Sequence, residues 1–85
     1  MAFAILQEQE GRQHWVRKNG PYAETFTTAF PTIRPPTAGL LYADRETAER
    51  DAEGFRQRNA RDVEATKRTS KNKTVPATYS VVPIE

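Results

Sequence analysis

The chain has 85 residues, of which 36% are hydrophobic, and its formal net charge is +2 at pH 7. This length allows one small core, so residues 1–85 are predicted to form a single domain. Cysteine is absent and histidine occurs once, which excludes disulfides, thiolate ligands and the common multi-histidine metal sites. No stretch reaches the roughly 20 apolar residues of a membrane helix. We therefore expect a cytoplasmic protein without a membrane partner.

The first two predicted strands form a hairpin. Residues Ala2 to Glu8 alternate in polarity, and apolar side chains on both faces indicate a central strand or one whose second face is partly covered. A second strand is predicted from Arg12 to Lys18. The turn between them is expected near Glu8 to Arg12, where Gly11 interrupts the pattern.

A third strand and a proline-containing loop follow the turn at residues 19–21. The strand is predicted from Tyr22 to Phe30, a run rich in threonine and aromatic residues. Pro31, Pro35 and Pro36 then forbid regular structure until about Gly39. This loop is either a working loop that contacts a partner or a simple crossover to the next element.

One amphipathic helix is predicted from Arg45 to Asn59. Asp44 is a favourable N-cap, and Ala48, Ala52 and Phe55 recur at i, i+4 and i+7 as a narrow apolar stripe. Such a thin stripe needs a sheet to lie on. Gly54 interrupts the helix and is either a weak point or a position of close approach to a strand.

Two further strands are predicted after the helix, Asp62 to Arg68 and Val75 to Ile84, joined by a basic loop at residues 69–73. Pro76 and Pro83 place the last strand at an edge or limit its paired part. The expected fold class is therefore α+β: an antiparallel sheet of about four to five strands in βββαββ order, with one helix packed on one face.

Charge is unevenly distributed and defines two candidate binding surfaces. Residues 42–54 carry net charge −3 and residues 55–74 carry +5. The acidic candidates for binding a protein partner are Asp44, Glu46, Glu49, Asp51 and Glu53. The basic candidates for binding a partner or nucleic-acid phosphates are Arg56, Arg58, Arg61, Lys67, Arg68, Lys71 and Lys73. Either set is also explained as the solvated surface of a helix and its following loop.

Aromatic residues leave the same two interpretations open. Trp15, Tyr22 and Tyr79 either stack on bases or belong to the core of the small domain. His14, beside Trp15 in a predicted strand, is interpreted as a partly exposed sheet residue. Neither a Ser-His-Asp set nor a glycine-rich phosphate loop is present in the sequence, so we expect a protein that is not an enzyme and needs no cofactor or metal.

The layout resembles that of small phage-encoded α+β proteins, some of which are anti-CRISPR inhibitors. The resemblance is carried by the opening hairpin (Phe3-Ala4-Ile5 to His14-Trp15-Val16), the run from Tyr42 to Ala52 and the closing Val81-Val82-Pro83-Ile84-Glu85. It implies a protein that blocks a host surveillance complex by occupying its surface. That group shares a style of fold and no motif, so no functional residue is transferred.

The expected function is that of a non-enzymatic binding protein, phage or mobile-element encoded, which docks on a protein or nucleoprotein partner such as a CRISPR-type defence complex. The alternative is a small nucleic-acid-binding accessory protein that uses the basic residues at the helix end and in the predicted hairpin after it. A monomer and a homodimer both remain open, because an edge strand can pair across a two-fold axis.

Overall fold

A computed structural model describes residues 1–18, 30–31, 34–67 and 73–84. The elements in chain order are β1 (Ala2–Gln9), β2 (Arg12–Val16), β3 (Phe30–Pro31), a short 3-10 turn (Ala38–Leu40), α1 (Arg45–Thr66) and β4 (Thr78–Ile84). The sheet is antiparallel with the order β3-β2-β1-β4, and β3 contributes only two residues to it. The predicted α+β class, with a helix on an antiparallel sheet, is confirmed.

A tight turn closes the first hairpin. Gln9 pairs with Arg12, and the two residues between them, Glu10 and Gly11, have φ values of 52° and 76°. Two consecutive residues with positive φ give the two-residue loop a backbone twist that matches the right-handed twist of the flanking strands. The predicted hairpin is confirmed, although β2 ends at Val16, two residues earlier than expected.

Tyr42 takes the place beside β1 that a longer β2 would occupy. The Phe3 N–H donates to the Tyr42 carbonyl at 3.0 Å, and the Tyr42 N–H donates to the Phe3 carbonyl at 2.7 Å. The chain therefore returns to the central strand immediately before the helix begins. This bridge fixes where α1 starts relative to the sheet.

The main core lies between α1 and the sheet. Its buried members are Ile5, Val16, Tyr42, Ala48, Ala52, Phe55 and Tyr79. The rings of Phe55 and Tyr79 stack with their centroids 5.3 Å apart. The predicted stripe of Ala48, Ala52 and Phe55 is thus confirmed as the face by which the helix packs.

A second, smaller cluster covers the opposite face of the sheet. Ala4, Trp15 and Leu40 are buried there, and the Trp15 indole N–H donates to the Arg34 carbonyl at 2.9 Å. Residues 34–41 therefore act as a crossover that packs on the sheet on its way to the helix. The interpretation of β1 as a central strand is confirmed, because it lies between β2 and β4 and carries apolar residues on both faces.

The predicted end of the helix is wrong. The helix continues to Thr66, so the predicted strand Asp62 to Arg68 is helical over 62–66, and Arg68 lies outside the described residues. Asn59, the predicted last residue of the helix, donates from Nδ2 to the Val75 carbonyl and accepts from the Ala77 N–H at 3.0 Å. An Arg58–Asp62 pair at i, i+4 spans the predicted boundary.

The βββαββ order changes accordingly, since β4 is the one strand that follows the helix in the described ranges. The predicted third strand, Tyr22 to Phe30, lies outside the described residues except for Phe30, which belongs to β3. The predicted last strand is present from Thr78 to Ile84 and forms an edge of the described sheet, as its prolines indicated.

The hypothesis that Gly54 allows close approach to a strand is also wrong. A Cβ at Gly54 would meet nothing within 4 Å, and the residue is exposed. The long helix itself is strongly charged, and in the part of the chain that the structure describes no helix is apolar enough to cross a membrane.

Gly54→Ala is expected to raise the free energy of unfolding by about 0.5–1 kcal/mol, because the new methyl group fits and alanine loses less backbone entropy in a helix interior. Urea denaturation measures the change. The matched control is Ala60→Gly, the reverse exchange at an exposed position of the same helix, which should lower stability by a similar amount. A Gly54→Ala protein less stable than the parent would contradict the placement of this residue.

Candidate functional site

Asp44 caps the N-terminus of α1. Its Oδ1 accepts from the Thr47 N–H at 2.7 Å, and its Oδ2 accepts from the Thr47 hydroxyl at 3.0 Å. These two hydrogen bonds hold the pKa of Asp44 below its usual value, and the one from the Thr47 backbone N–H has the larger effect. Of the acidic candidates, Asp44 therefore has a structural role at the helix terminus, as its position in the sequence predicted.

Asp51 is joined to the core through Tyr42. The Tyr42 hydroxyl donates to Asp51 Oδ2 at 2.8 Å and accepts from the Lys18 N–H at 3.1 Å. Burial is the main cause that raises the pKa of Tyr42 well above its ordinary value, and the bond to Asp51 adds to it. The phenol therefore stays protonated at neutral pH and remains a donor. Asp51 is thus a structural group as well as a charge.

Arg17 completes this cluster from the end of β2. Its Nη1 donates to the Leu41 carbonyl at 2.6 Å, and its guanidinium lies 4.8 Å from the centroid of the Tyr42 ring. The cluster joins the end of β2, the crossover and the helix. No local pattern in the sequence indicates it, because its members are separated by up to 34 positions, from Arg17 to Asp51.

The remaining acidic candidates, Glu46, Glu49 and Glu53, form what we call the acidic ridge. At about 100° per residue they fall within an arc of about 60° that faces away from the sheet. Glu49 pairs with Arg45 at 3.6 Å and Glu53 pairs with Arg56 at 3.0 Å, yet their side chains are 45% and 57% exposed. Exposed pairs of this kind contribute little and exchange partners easily. The ridge is therefore accessible to another molecule.

The basic candidates do not form one patch in the described part of the chain. Arg56 reaches over the edge of the sheet, where its Nε and Nη2 donate to the Tyr79 carbonyl at 3.2 and 2.7 Å. Lys67 lies on the same flank of the helix and pairs with Glu64 at 3.1 Å. Lys73 is exposed beyond the helix, whereas Arg68 and Lys71 lie outside the described residues.

Arg58 and Arg61 lie on the opposite flank, toward Tyr42 and β2. With Asp62 and Ala65 they line a shallow depression on the helix surface, and Arg58 Nε lies 3.9 Å from Asp62 Oδ2. We call this pair of arginines the basic flank. The sequence placed all seven basic residues in one group. The helical period puts Arg56 and Arg58 on opposite flanks, and the continuation of the helix through Thr66 places Arg61 on the flank of Arg58 and Lys67 on the flank of Arg56.

The aromatic candidates are part of the fold. Trp15 and Tyr79 are 9% and 8% exposed, and each is packed in one of the two core clusters. Tyr22 lies outside the described residues, and His14 is half-buried in β2. Base stacking on Trp15 or Tyr79 would therefore require the core to open.

The described residues contain no cluster of three or more histidine, aspartate or glutamate side chains that could hold a metal ion. Comparison of the chain with protein-family models, with curated proteins and with solved structures gives no match. The acidic ridge and the basic flank, both on the exposed surface of α1, are therefore the candidate binding surfaces.

Arg56→Ala is expected to lower the free energy of unfolding by about 1 kcal/mol, because the Tyr79 carbonyl loses a donor that the helix holds against it. Arg56→Lys should recover little of this, since an ammonium lacks the planar fork of a guanidinium. Urea denaturation measures both changes. Arg50→Ala removes the same charge from an exposed position of α1 and should stay within about 0.5 kcal/mol of the parent. Equal effects at positions 50 and 56 would contradict a structural role for Arg56.

Proposed function

We propose that the protein is a non-enzymatic binding protein that docks on a macromolecular partner through the outward surface of α1. The length of the helix carries this proposal. Its 22 residues extend about 33 Å, whereas the seven residues of β4 extend about 23 Å. The buried side chains of α1 are Ala48, Ala52 and Phe55, and residues 60–66 add none. Much of the helix surface is thus left for a partner.

The acidic ridge defines the chemistry of that partner. Three carboxylates in one arc favour a surface rich in arginine or lysine, and opposite charges speed encounter and set orientation more than they add affinity. Proteins that handle nucleic acid carry such basic surfaces. The partner is accordingly a protein or nucleoprotein complex whose own nucleic-acid-binding surface the helix occupies.

The resemblance to phage-encoded proteins supports a more specific form of this function. It is inhibition of a CRISPR-type defence complex in the cytoplasm of the host, where the acidic ridge takes the place of nucleic-acid phosphates on the basic surface of the complex. The Asp44 and Asp51 carboxylates contribute to the local field, while their hydrogen bonds keep them in place for the fold.

Charge reversal on the ridge tests the proposal. We expect Glu46→Lys/Glu53→Lys to bind a purified CRISPR-type surveillance complex at least tenfold more weakly than the parent, because it places positive charge against a basic surface. The control, Glu8→Lys/Glu10→Lys, changes net charge by the same amount at two exposed positions of the first hairpin and should bind as the parent does. Binding is measured by calorimetry or by retention on the immobilised complex.

Equal binding by the two double variants would overturn the role of the acidic ridge. If the parent protein neither binds such complexes nor retains any partner from nuclease-treated host lysate, the proposal of a protein-docking function is wrong.

A second function, nucleic-acid binding, is favoured by one observation: Arg58 and Arg61 lie together on one flank of α1, on the side of the helix opposite Arg56 and Lys67. Arg58→Ala/Arg61→Ala is expected to weaken binding to a double-stranded DNA oligonucleotide. The slope of log affinity against log salt concentration should fall in magnitude by about 2, since each of the two lost phosphate contacts contributes about 0.9. The control is Arg12→Ala/Arg50→Ala, which removes equal charge from exposed positions elsewhere. An unchanged slope in the first variant would exclude the basic flank as a phosphate site.

A further inference from the structure

The crossover between the sheet and the helix contains a largely exposed run, Arg34-Pro35-Pro36-Thr37, which we call the proline segment. A proline ring fixes its own φ at about −65°, and a residue before a proline is held in an extended conformation. Pro35 meets both conditions, and Thr37 has a φ of −70° and a ψ of 161°. These are the backbone angles of a polyproline II helix. The sequence of the segment thus presets that conformation.

The domain holds both ends of the proline segment. Before the prolines, the Arg34 carbonyl accepts from the Trp15 indole N–H at 2.9 Å. After them, the Thr37 carbonyl accepts from the Leu40 N–H at 2.9 Å, and the Leu40 side chain is buried in the smaller core cluster. A partner therefore meets a segment that is already ordered, and the cost of ordering a loop on binding is largely removed.

Solvent exposure follows the threefold period of this kind of helix. With three residues per turn, Arg34 and Thr37 lie on one ridge, Pro35 lies on a second and Pro36 on the third. Pro36 is half-buried, whereas Arg34, Pro35 and Thr37 are exposed. The ridge of Pro36 therefore faces the domain, and the other two ridges face solvent. One of them offers a proline ring, and the other offers a guanidinium group and a hydroxyl group.

The polar groups of the proline segment are available to a partner. Among the described residues, none donates a hydrogen bond to the Pro35 or Pro36 carbonyl. Within the same part of the chain, the Arg34 guanidinium forms no ion pair. A polyproline II helix has no internal hydrogen bonds, so its carbonyls stay open to outside donors. The segment thus presents two acceptors and one positive charge around an apolar ring.

We propose that the proline segment binds a groove lined by tyrosine and tryptophan rings on a partner protein, with a carboxylate beside the groove. The Pro35 ring packs between two aromatic rings, whose phenol or indole groups donate to the Pro35 and Pro36 carbonyls. The Arg34 guanidinium pairs with the carboxylate, and its planar fork bonds both oxygens. The segment packs on the face of the sheet opposite α1, so this inference does not depend on the acidic ridge or the basic flank.

A purely structural role for the prolines makes a different prediction. Proline stabilises a loop by restricting the unfolded chain, and it does so without any partner. In that case Pro35→Ala lowers stability and leaves binding unchanged. If the segment docks in an aromatic groove, the same variant loses binding, because the ring that fills the groove is gone. Measuring affinity and stability on one variant therefore separates the two roles.

Binding is measured by NMR titration of the isotope-labelled full chain with purified WW, SH3 and EVH1 domains, which carry aromatic grooves of this kind. We expect at least one of these domains to bind with a dissociation constant in the micromolar range. The chain has one tryptophan, so a single indole N–H resonance reports on the Trp15–Arg34 contact. Shifts should be confined to this resonance and to the amides around the proline segment. No binding by any of the domains, or shifts centred on α1, would overturn the proposal.

Two variants test the individual contacts. Pro35→Ala and Arg34→Glu should each weaken this binding at least tenfold and keep the circular dichroism spectrum of the parent, since both side chains are exposed. The matched controls, Pro83→Ala and Arg12→Glu, make the same exchanges at exposed positions of β4 and β2 and should bind as the parent does. If Pro35→Ala binds as tightly as Pro83→Ala, the proline ring is not the contact and the proposal is wrong. Equal binding by Arg34→Glu and Arg12→Glu would exclude the ion pair.

Discussion

The contact of one narrow helix face with the sheet is the constraint on which the rest of the structure depends. Ala48 and Ala52 have no side chain beyond Cβ, so the helix can approach the sheet closely, and Phe55 then stacks on Tyr79. Burial of one such aromatic ring contributes about 1.5–3 kcal/mol. In a domain with so few buried residues this is a large share of the stability.

Close approach also decides which polar contacts exist. Arg56 and Asn59 are adjacent to the apolar stripe, one and four positions after Phe55, and both reach backbone groups of the last strand and the segment before it. A bulkier residue at position 48 or 52 would lift the helix and break these bonds together. In the described residues no buried side-chain nitrogen or oxygen lacks a partner, so the few polar groups near the core are fully used.

The parts of this fold that could be predicted from sequence are those decided by neighbours in the chain. Asp44 lies three residues before the Thr47 amide that it caps, Glu10 and Gly11 form their turn alone, and the stripe from Ala48 to Phe55 follows the helical period. The end of α1 could not be predicted in this way. The helix was predicted to end at Asn59, but the partners of this side chain lie 16 and 18 positions further along the chain, so no local pattern reveals that it joins the helix to the segment before the last strand.

The candidate site follows the same rule. Spacing alone places Glu46, Glu49 and Glu53 in one arc, and the acidic ridge was therefore foreseeable. The roles of Asp51 and Arg56 were not, because each depends on a residue from another layer: Asp51 on Tyr42, and Arg56 on the carbonyl of Tyr79. The net charge of a sequence segment counts every ionic group equally. In the folded chain, some of these groups form hydrogen bonds within the domain, whereas others face solvent.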